Sequence, residues 1–272
     1  MADVLTGFTW DRSAKRYRSS GTGRYVARND IVGLLGTHIR GGEGRVEALT
    51  RALYEGTIAP AVFAEQMRTQ LRRLHLQNAA LGAGGWDRLN SSDYGRIGQR
   101  LREDYGRINK LIGDVRDGNA TIAQALNRVN GYVGNSRIAF WETERTAQSV
   151  PEPGKVIIER RVLGAHKSCR DCLNYYAAGW QPIGVLPLPA LSCACGTNCK
   201  CRMERRQVPA DEAGQYVKRS LADVITAAFL AAQVKAEQAA AKKEARLAKA
   251  AKKKALEDAL KLEELQREAV TG

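Results

Sequence analysis

The sequence predicts a mainly helical protein with one small α/β module built around cysteines. Apolar residues recur at helical spacing from about residue 29 to residue 148. Aromatic residues make up only 6% of the chain, which favours small-residue packing between helices over a thick β-sandwich. All six cysteines lie between Cys169 and Cys201. Together these observations predict a helical body that carries a compact cysteine-rich segment.

Residues 1–28 are predicted to form a basic, extended N-terminal arm. The segment is polar, contains Gly21 and Gly23, and places Trp10, Tyr17 and Tyr25 among arginines and lysines. Basic residues mixed with aromatic ones suit phosphate contact and stacking on bases. No recognisable nucleic-acid module surrounds them, so we interpret the segment as an arm that ties the N-terminus to a neighbouring surface.

Residues 29–150 are predicted to form a helical bundle or a long αα-hairpin. Glycines separate a first helix ending near His38 from a second that ends before Gly56. Polar residues and one proline mark the expected helix starts. The five starts are at Asn29 or Asp30, Arg45, Pro60, Ser91 or Ser92, and Thr121.

The helical region offers no residue set that predicts catalysis. His38 and His75 each stand alone, and we expect ordinary polar or core roles for both. Glu142 and Glu144 lie two residues apart, so they point to different faces of a helix and are expected to be solvated. Neither a Ser-His-Asp or Cys-His arrangement nor a phosphate-binding glycine loop follows from the spacing. We therefore expect no catalytic residues and no enzyme.

Residues 151–210 are predicted to form the cysteine module. Pro151, Pro153 and Gly154 end the last helix, and the β-branched segment 155–163 predicts a strand. The later segment 179–190, GWQPIGVLPLPA, predicts a stiff, irregular loop without a helix. Such a loop is expected to bury little apolar area, so the module needs another source of stability. A structural metal would supply on the order of 10 kcal/mol.

The cysteines follow the pattern C-x2-C, a gap, and then C-x-C-x3-C-x-C. The chain start lacks the basic-then-apolar order of a signal peptide, which predicts a reducing compartment where clustered cysteines bind metal. Basic neighbours lower thiol pKa values and offset the charge of the thiolates. These neighbours are Lys167, Arg170, Lys200 and Arg202.

Structural Zn²⁺ is the metal that the pattern favours, because four thiolates complete a tetrahedral site and leave no position for water. The predicted ligands are Cys169, Cys172, Cys195 and Cys199, with Cys201 as the first substitute. Several alternatives remain open at the level of sequence. Six thiols suffice for two metals with bridging sulfurs, or leave spare thiols. His166 would serve in place of a cysteine, and an iron–sulfur cluster also suits thiolate ligands.

Residues 211–272 are predicted to form a basic, Ala- and Lys-rich C-terminal helix. The segment 215–270 has neither proline nor glycine, and its basic first half precedes an acidic end. The apolar stretch 221–234 is too short to span a bilayer, so no membrane partner is expected. The formal net charge of the whole chain is +14, which predicts attraction to nucleic acid or to an acidic protein surface.

Two segments together resemble a known family. His166 to Arg202 combines the paired cysteines, a Trp-Pro-Gly-Pro loop and the ending Cys195, Asn198-Cys199-Lys200-Cys201; near the start, Arg16-Tyr17-Arg18 precedes Gly23-Arg24-Tyr25-Val26. This pattern resembles tailed-phage minor head, or head-morphogenesis, proteins of the Mu F-like family, over about residues 10 to 206. Two features depart from the family pattern: Ala190 replaces the usual glycine, and Cys193 is an additional cysteine.

The resemblance implies a structural component of the virion head, made in the host cytoplasm. Its expected partners are the portal protein, the major capsid protein or both, with packaged double-stranded DNA as a further one. Such a protein occurs in multiple copies within a symmetric particle. The alternative interpretation is a zinc-containing DNA-binding protein without a role in the shell.

Overall fold

Four long helices make up most of the part of the chain that the structure describes. In this computed structural model that part comprises residues 8–11, 13–14, 16–164 and 168–216. The helices are α1 (Arg28–Tyr54), α2 (Pro60–Ala83), α3 (Ser91–Arg116) and α4 (Ile122–Ala147). α2 packs most extensively on α4, while α1 lies against both of them and α3 covers α2. The prediction of a mainly helical protein is confirmed.

α1 is one continuous helix, so the predicted division into two helices around residues 39–44 is wrong. Gly41, Gly42 and Gly44 lie inside it. Gly42 is buried where the three helices meet, and a Cβ atom at this position would lie 2.7 Å from Leu74 Cδ1. The glycine is therefore needed for close helix packing and does not break the helix. Tertiary contacts offset its low helix propensity.

The ends of the other helices follow local capping chemistry. α2 begins with Pro60 and ends at Gly84, whose φ of 84° is left-handed. Thr121 caps α4 as predicted, because its side chain accepts a hydrogen bond from Gln124 N. The expected cap of α3 at Ser91 or Ser92 is wrong by one residue. Asn90 caps this helix and forms a reciprocal pair with Asp93.

The described residues of the N-terminal segment form a small antiparallel sheet, which differs from the predicted extended arm. Its strands are β1 (Phe8–Asp11), β2 (Arg16–Ser19) and β3 (Tyr25–Val26), in the order β1-β2-β3. Tyr17 on β2 is 1% exposed, and its hydroxyl donates a hydrogen bond to Gly82 O in α2. The sheet is thus fixed to the helices through a buried tyrosine.

A second antiparallel sheet follows α4. Its central strand, β4 (Lys155–Val162), lies between the short β5 (Gln181–Pro182) and β6 (Arg202–Pro209). The register pairs Lys155 with Pro209 and Val162 with Arg202. A short helix, α5 (Arg170–Ala177), lies between β4 and β5, and α6 (Ala213–Tyr216) follows β6.

The C-terminal helix predicted for residues 211–272 lies outside the described residues from position 217 onward, and so does the apolar stretch 221–234. His166 and Lys167 also lie outside them. No helix in the described part of the chain has the length and apolar character needed to cross a membrane.

Candidate metal centre

The paired strands β4 and β6 bring the two cysteine segments to the same end of the second sheet. Cys169 directly precedes α5, and Cys172 lies in the first turn of that helix. The other four cysteines lie on the loop that leads into β6, around a 3-10 helix at Gly196–Asn198. Because Val162 at the end of β4 pairs with Arg202 at the start of β6, both segments leave the sheet side by side.

The six sulfurs form two overlapping groups. Cys169, Cys172, Cys193 and Cys195 make up the first, and Cys172, Cys199 and Cys201 make up the second. Within each group all sulfur atoms lie within 4.8 Å of one another. Cys172 belongs to both groups and is completely buried. The predicted metal-binding cluster is therefore present as a set of six close cysteines that could hold a metal ion.

The structure divides the predicted ligands between the two groups, which the spacing of the cysteines in the sequence did not indicate. Cys169, Cys172 and Cys195 share the first group, whereas Cys199 and Cys201 fall in the second. Cys193 was interpreted as an additional cysteine, yet it completes the first group. The sequence feature that indicates a role for Cys193 is the C-x-C pattern, which occurs twice, at residues 193–195 and 199–201.

Hydrogen bonds lower the thiol pKa of one cysteine in each group. Burial raises the pKa of Cys169, but hydrogen bonds from the backbone of Cys172 and from Cys195 outweigh this effect and lower that pKa to about 7. The Cys201 side chain donates to Cys199 and lowers its pKa to about 4; burial opposes this shift, and backbone N–H groups of Cys201 and Ala190 support it. Metals bind the thiolate form of cysteine, so the thiols of Cys169 and Cys199 need the least stabilisation from a metal to become ligands.

The other thiols hold their protons more tightly. Burial, followed by repulsion from the neighbouring Cys199 sulfur, raises the pKa of Cys193 to about 11. Burial also raises the pKa of Cys172 and of Cys195, while the hydrogen bond to Cys199 is the main reason for the raised pKa of Cys201. A bound cation would release these protons, because it stabilises the thiolate form.

Side chains of other residues hold the cysteine loop before β6 in place. Asp171 Oδ2 accepts a hydrogen bond from Ala194 N at 2.7 Å, and the Tyr175 hydroxyl donates to Ser192 O at 3.0 Å. From α4, Arg137 donates to the carbonyl oxygens of Thr197 and Cys199. These contacts hold the cysteine loop against both α5 and α4.

The cysteine cluster packs directly on α4. Cys172, Cys199 and Cys201 form one buried apolar cluster with Ile138 of that helix. One turn earlier, Gly134 faces Thr197 so closely that a Cβ atom would lie 2.7 Å from the Thr197 Cβ. The sulfurs are therefore part of the interface between the small sheet module and the long helices.

The Trp-Pro loop is anchored at several points, which corrects the expectation that it buries little apolar area. Leu186 and Leu188 are 0% and 3% exposed. The Trp180 ring lies between the guanidinium groups of Arg160 and Arg206, 4.7 and 4.2 Å from its centroid. As predicted, residues 179–190 contain no helix.

A buried ion network joins this module to the helices, and it overturns the expectation that Glu144 is solvated. Glu144 and Glu159 are both 0% exposed. Glu144 accepts hydrogen bonds from Arg28 at 2.8 and 2.9 Å and from Arg205 at 2.9 Å. Arg205 also donates to Glu159, which accepts a further bond from Arg145. Glu142 is less buried and pairs with Arg100.

The isolated histidines have the ordinary roles that were expected. His38 Nδ1 lies 3.3 Å from Asn78 Oδ1. His75 is completely buried, and its Nε2 lies 3.3 Å from Asp104 Oδ2. Both histidines are far in sequence from the cysteines and belong to contacts between long helices.

Arg28 and Arg205 of the ion network also line a cavity of about 900 Å³. Tyr17 and Tyr25 line it as well, together with Glu204 and Arg206. The N-terminal sheet and strand β6 therefore both contribute to this cavity.

No family profile, no curated protein and no solved structure matches the chain.

Proposed function

We propose that this protein is a structural minor head, or head-morphogenesis, protein of a tailed phage, stabilised by zinc in its cysteine module. In this proposal it contacts the portal protein, the major capsid protein or both, and packaged double-stranded DNA is a further partner. It acts as a virion component in multiple copies and not as an enzyme. The cysteine cluster, built into the interface with α4, is the observation that carries the proposal.

The burial of the sulfurs supports a structural role for the metal. Cys172, Cys199 and Cys201 are at most 5% exposed. A metal held by such residues would join α5, the loop before β6 and α4 in a single packed unit. Structural zinc sites stabilise small modules in this way and keep their ligands shielded from solvent.

The position of the two sequence segments that resemble phage head proteins also supports the proposal. They are separated by more than a hundred residues, yet Tyr17 and Tyr25 of the first segment line the same cavity as Arg205 and Arg206, which follow the second segment. Arg28, just after the first segment, and Arg205, just after the second, bind the same carboxylate of Glu144. Residues that directly follow the two segments thus meet in one ion network.

The decisive experiment locates the protein in assembled particles. The chain would be produced together with portal and major capsid proteins, and purified heads would be analysed by mass spectrometry and by labelling of a C-terminal tag. We expect the protein in the heads at a defined copy number and in pull-downs with portal or capsid protein. Heads that lack it, together with no capture by either partner, would contradict the proposal.

The metal part of the proposal has its own test. Replacing Cys169 and Cys172 with serine removes one complete cysteine segment, so metal should be lost and the module should unfold. Elemental analysis of the purified full-length variant measures the loss, with Ser192→Ala as a matched control in the same module. Metal content equal to that of the unaltered chain would show that these cysteines do not hold it.

A DNA-binding protein without a shell role is the second candidate, and the net charge of +14 favours it. Binding to duplex DNA should then weaken steeply as salt rises, because each phosphate contact releases counterions. Fluorescence anisotropy across a salt series measures that slope. Strong salt-dependent binding without capture by portal or capsid protein would favour this candidate, and no binding at low salt would dismiss it.

A further inference from the structure

Cys172 has more sulfur neighbours than one tetrahedral metal ion can explain. A single ion with four thiolates gives each sulfur three sulfur neighbours. Cys172 has three neighbours in the first group, namely Cys169, Cys193 and Cys195. It has two more in the second group, Cys199 and Cys201. The Cys172 sulfur therefore lies within 4.8 Å of all five other cysteine sulfurs.

The distances around Cys172 match the edges of two coordination tetrahedra. A zinc–sulfur bond of about 2.3 Å places two thiolates of one tetrahedral ion roughly 3.8 Å apart. Cys172 Sγ lies 3.9 Å from Cys195 Sγ in the first group and 3.7 Å from Cys199 Sγ in the second. Both separations agree with a shared ion, yet the two partners belong to different groups.

We propose that the cluster is a binuclear site for thiolate-binding divalent ions such as zinc, in which the Cys172 sulfur bridges the two ions. The first ion takes Cys169, Cys172, Cys193 and Cys195, which complete a tetrahedron. The second takes Cys172, Cys199 and Cys201. This inference rests on the metal-binding part of the proposed function and does not depend on the phage assignment.

The two ions differ in how completely the described residues surround them. The first group supplies four thiolates and the second supplies three. Among the described cysteines, the second group thus leaves a fourth position on its ion open. An ion with fewer protein ligands is released more readily, so metal should leave the site in two steps.

Charge balance permits two ions. Six thiolates with two divalent ions carry the same net charge as four thiolates with one ion and two neutral thiols, so the second ion adds no buried charge. Arg137, which donates to the Cys199 carbonyl, and the backbone N–H groups directed at Cys169 and Cys199 offset part of the remaining negative charge.

The first test counts metal ions in the full chain, purified under reducing conditions from cells grown with zinc. Elemental analysis combined with quantitative amino-acid analysis gives the ratio of ions to chains. Two ions per chain would support the inference, and one ion would overturn it while leaving the metal part of the proposed function intact. Iron with acid-labile sulfide would overturn it as well. No metal at all would overturn both.

The second test separates the two ions by variants. Cys201→Ser removes a ligand of the second ion alone, so the content should fall from two ions to one and the fast phase of release to a chelator should disappear. Ser192→Ala in the same loop should keep two ions and both phases. A Cys201→Ser chain that retains both ions would overturn the assignment.

The bridge itself is observable after substitution with ¹¹³Cd, using the unaltered chain so that no variant needs to fold. Two ions joined by one thiolate should give two cadmium resonances that are coupled to each other. A single resonance, or two without coupling, would overturn the bridging role of Cys172.

Discussion

Glu144 and Glu159 are buried carboxylates, and Arg205 donates to both of them. The charges of Arg28 and Arg205 lower the pKa of Glu144 although burial, the largest effect, raises it. The i, i+2 spacing of Glu142 and Glu144 does indicate different faces of α4. Burial of Glu144 depends on arginines more than sixty residues away along the chain, which is why local spacing led to the wrong expectation.

Glu144→Gln should destabilise the protein by about 3 kcal/mol, because Arg28 then loses its carboxylate partner and the buried Arg205 keeps only Glu159. Urea denaturation followed by circular dichroism measures the change. Glu103→Gln serves as the control: Glu103 is 55% exposed and lies 3.8 Å from Arg107, so its loss should cost less than about 1 kcal/mol. Equal effects of the two substitutions would contradict the importance of the buried network.

The lowered pKa of Glu144 predicts that the stability of the protein depends on pH. The pKa of Glu144 is lowered in the folded protein from its usual 4.5, so its contribution is present above pH 4.5 and is lost as the pH falls through the folded value. The stability difference between the unaltered chain and Glu144→Gln should therefore shrink at acidic pH. Denaturant titrations from neutral to acidic pH measure it, and a difference that stays constant would contradict the assignment.

Ala190 has a backbone conformation that alanine rarely adopts. Its φ is 69°, the one positive φ of a non-glycine residue within the described part of the chain. Glycine adopts this conformation without steric cost, whereas the Cβ atom of alanine makes it less favourable. Ala190 is also 7% exposed and packs in the cysteine cluster.

Ala190→Val should lower the free energy of unfolding by roughly 2 kcal/mol or more, because a β-branched residue is strongly disfavoured at positive φ and the site is packed. Thermal denaturation in the presence of zinc measures the loss. Ala190→Gly is the matched control and should leave the metal content unchanged. A valine variant as stable as the unaltered chain would contradict the described backbone conformation.

At the scale of secondary-structure elements, close helix contacts at glycines organise the helical part. A Cβ atom on Gly82 would lie 2.2 Å from Phe140 O and 2.4 Å from Thr143 Oγ1, so α2 and α4 nearly touch at this point. The sequence predicted where α2 begins, since Pro60 is a local signal. It did not indicate which helical glycines make contacts, because that depends on the partner helix.

Gly82→Ala should destabilise the protein by about 3 kcal/mol, since the neighbouring backbone of α4 must move away. Gly95→Ala provides a matched control on α3, where a Cβ atom meets nothing within 4 Å. This control should be stabilising by about 0.5–1 kcal/mol, because alanine favours helix over glycine. Chemical denaturation of both variants measures the contrast, and a tolerated Gly82→Ala would contradict the close approach.

At the scale of the whole molecule, the metal centre and the long helices are adjacent but are stabilised differently. Phe63 and Leu71 of α2 and Val133 and Phe140 of α4 are fully buried, and none of them belongs to the buried cluster that contains the sulfurs. In the proposed function the cysteine module depends on a bound metal for order, whereas the helices have an apolar core of their own.

Removal of metal with a chelator under reducing conditions should therefore open the module first. We expect fast amide hydrogen exchange in residues 168–201, while the centres of α2 and α4 remain protected. Hydrogen-exchange mass spectrometry measures this pattern, and restoring zinc should restore protection. Unchanged exchange in the module after complete metal removal would contradict a stabilising role for the metal.

The sequence by itself determined the mainly helical class, the strand at residues 155–162, the helix starts at Pro60 and Thr121, and the clustered cysteines. These features depend on local chemistry: periodicity, capping groups and ligand spacing act within a few residues. Only the tertiary structure decided that Glu144 is buried, that Gly42 lies inside a helix, and that Cys172 touches both cysteine groups. Each of these depends on contacts between distant segments, because burial and coordination are set by the residues that the fold brings together in space.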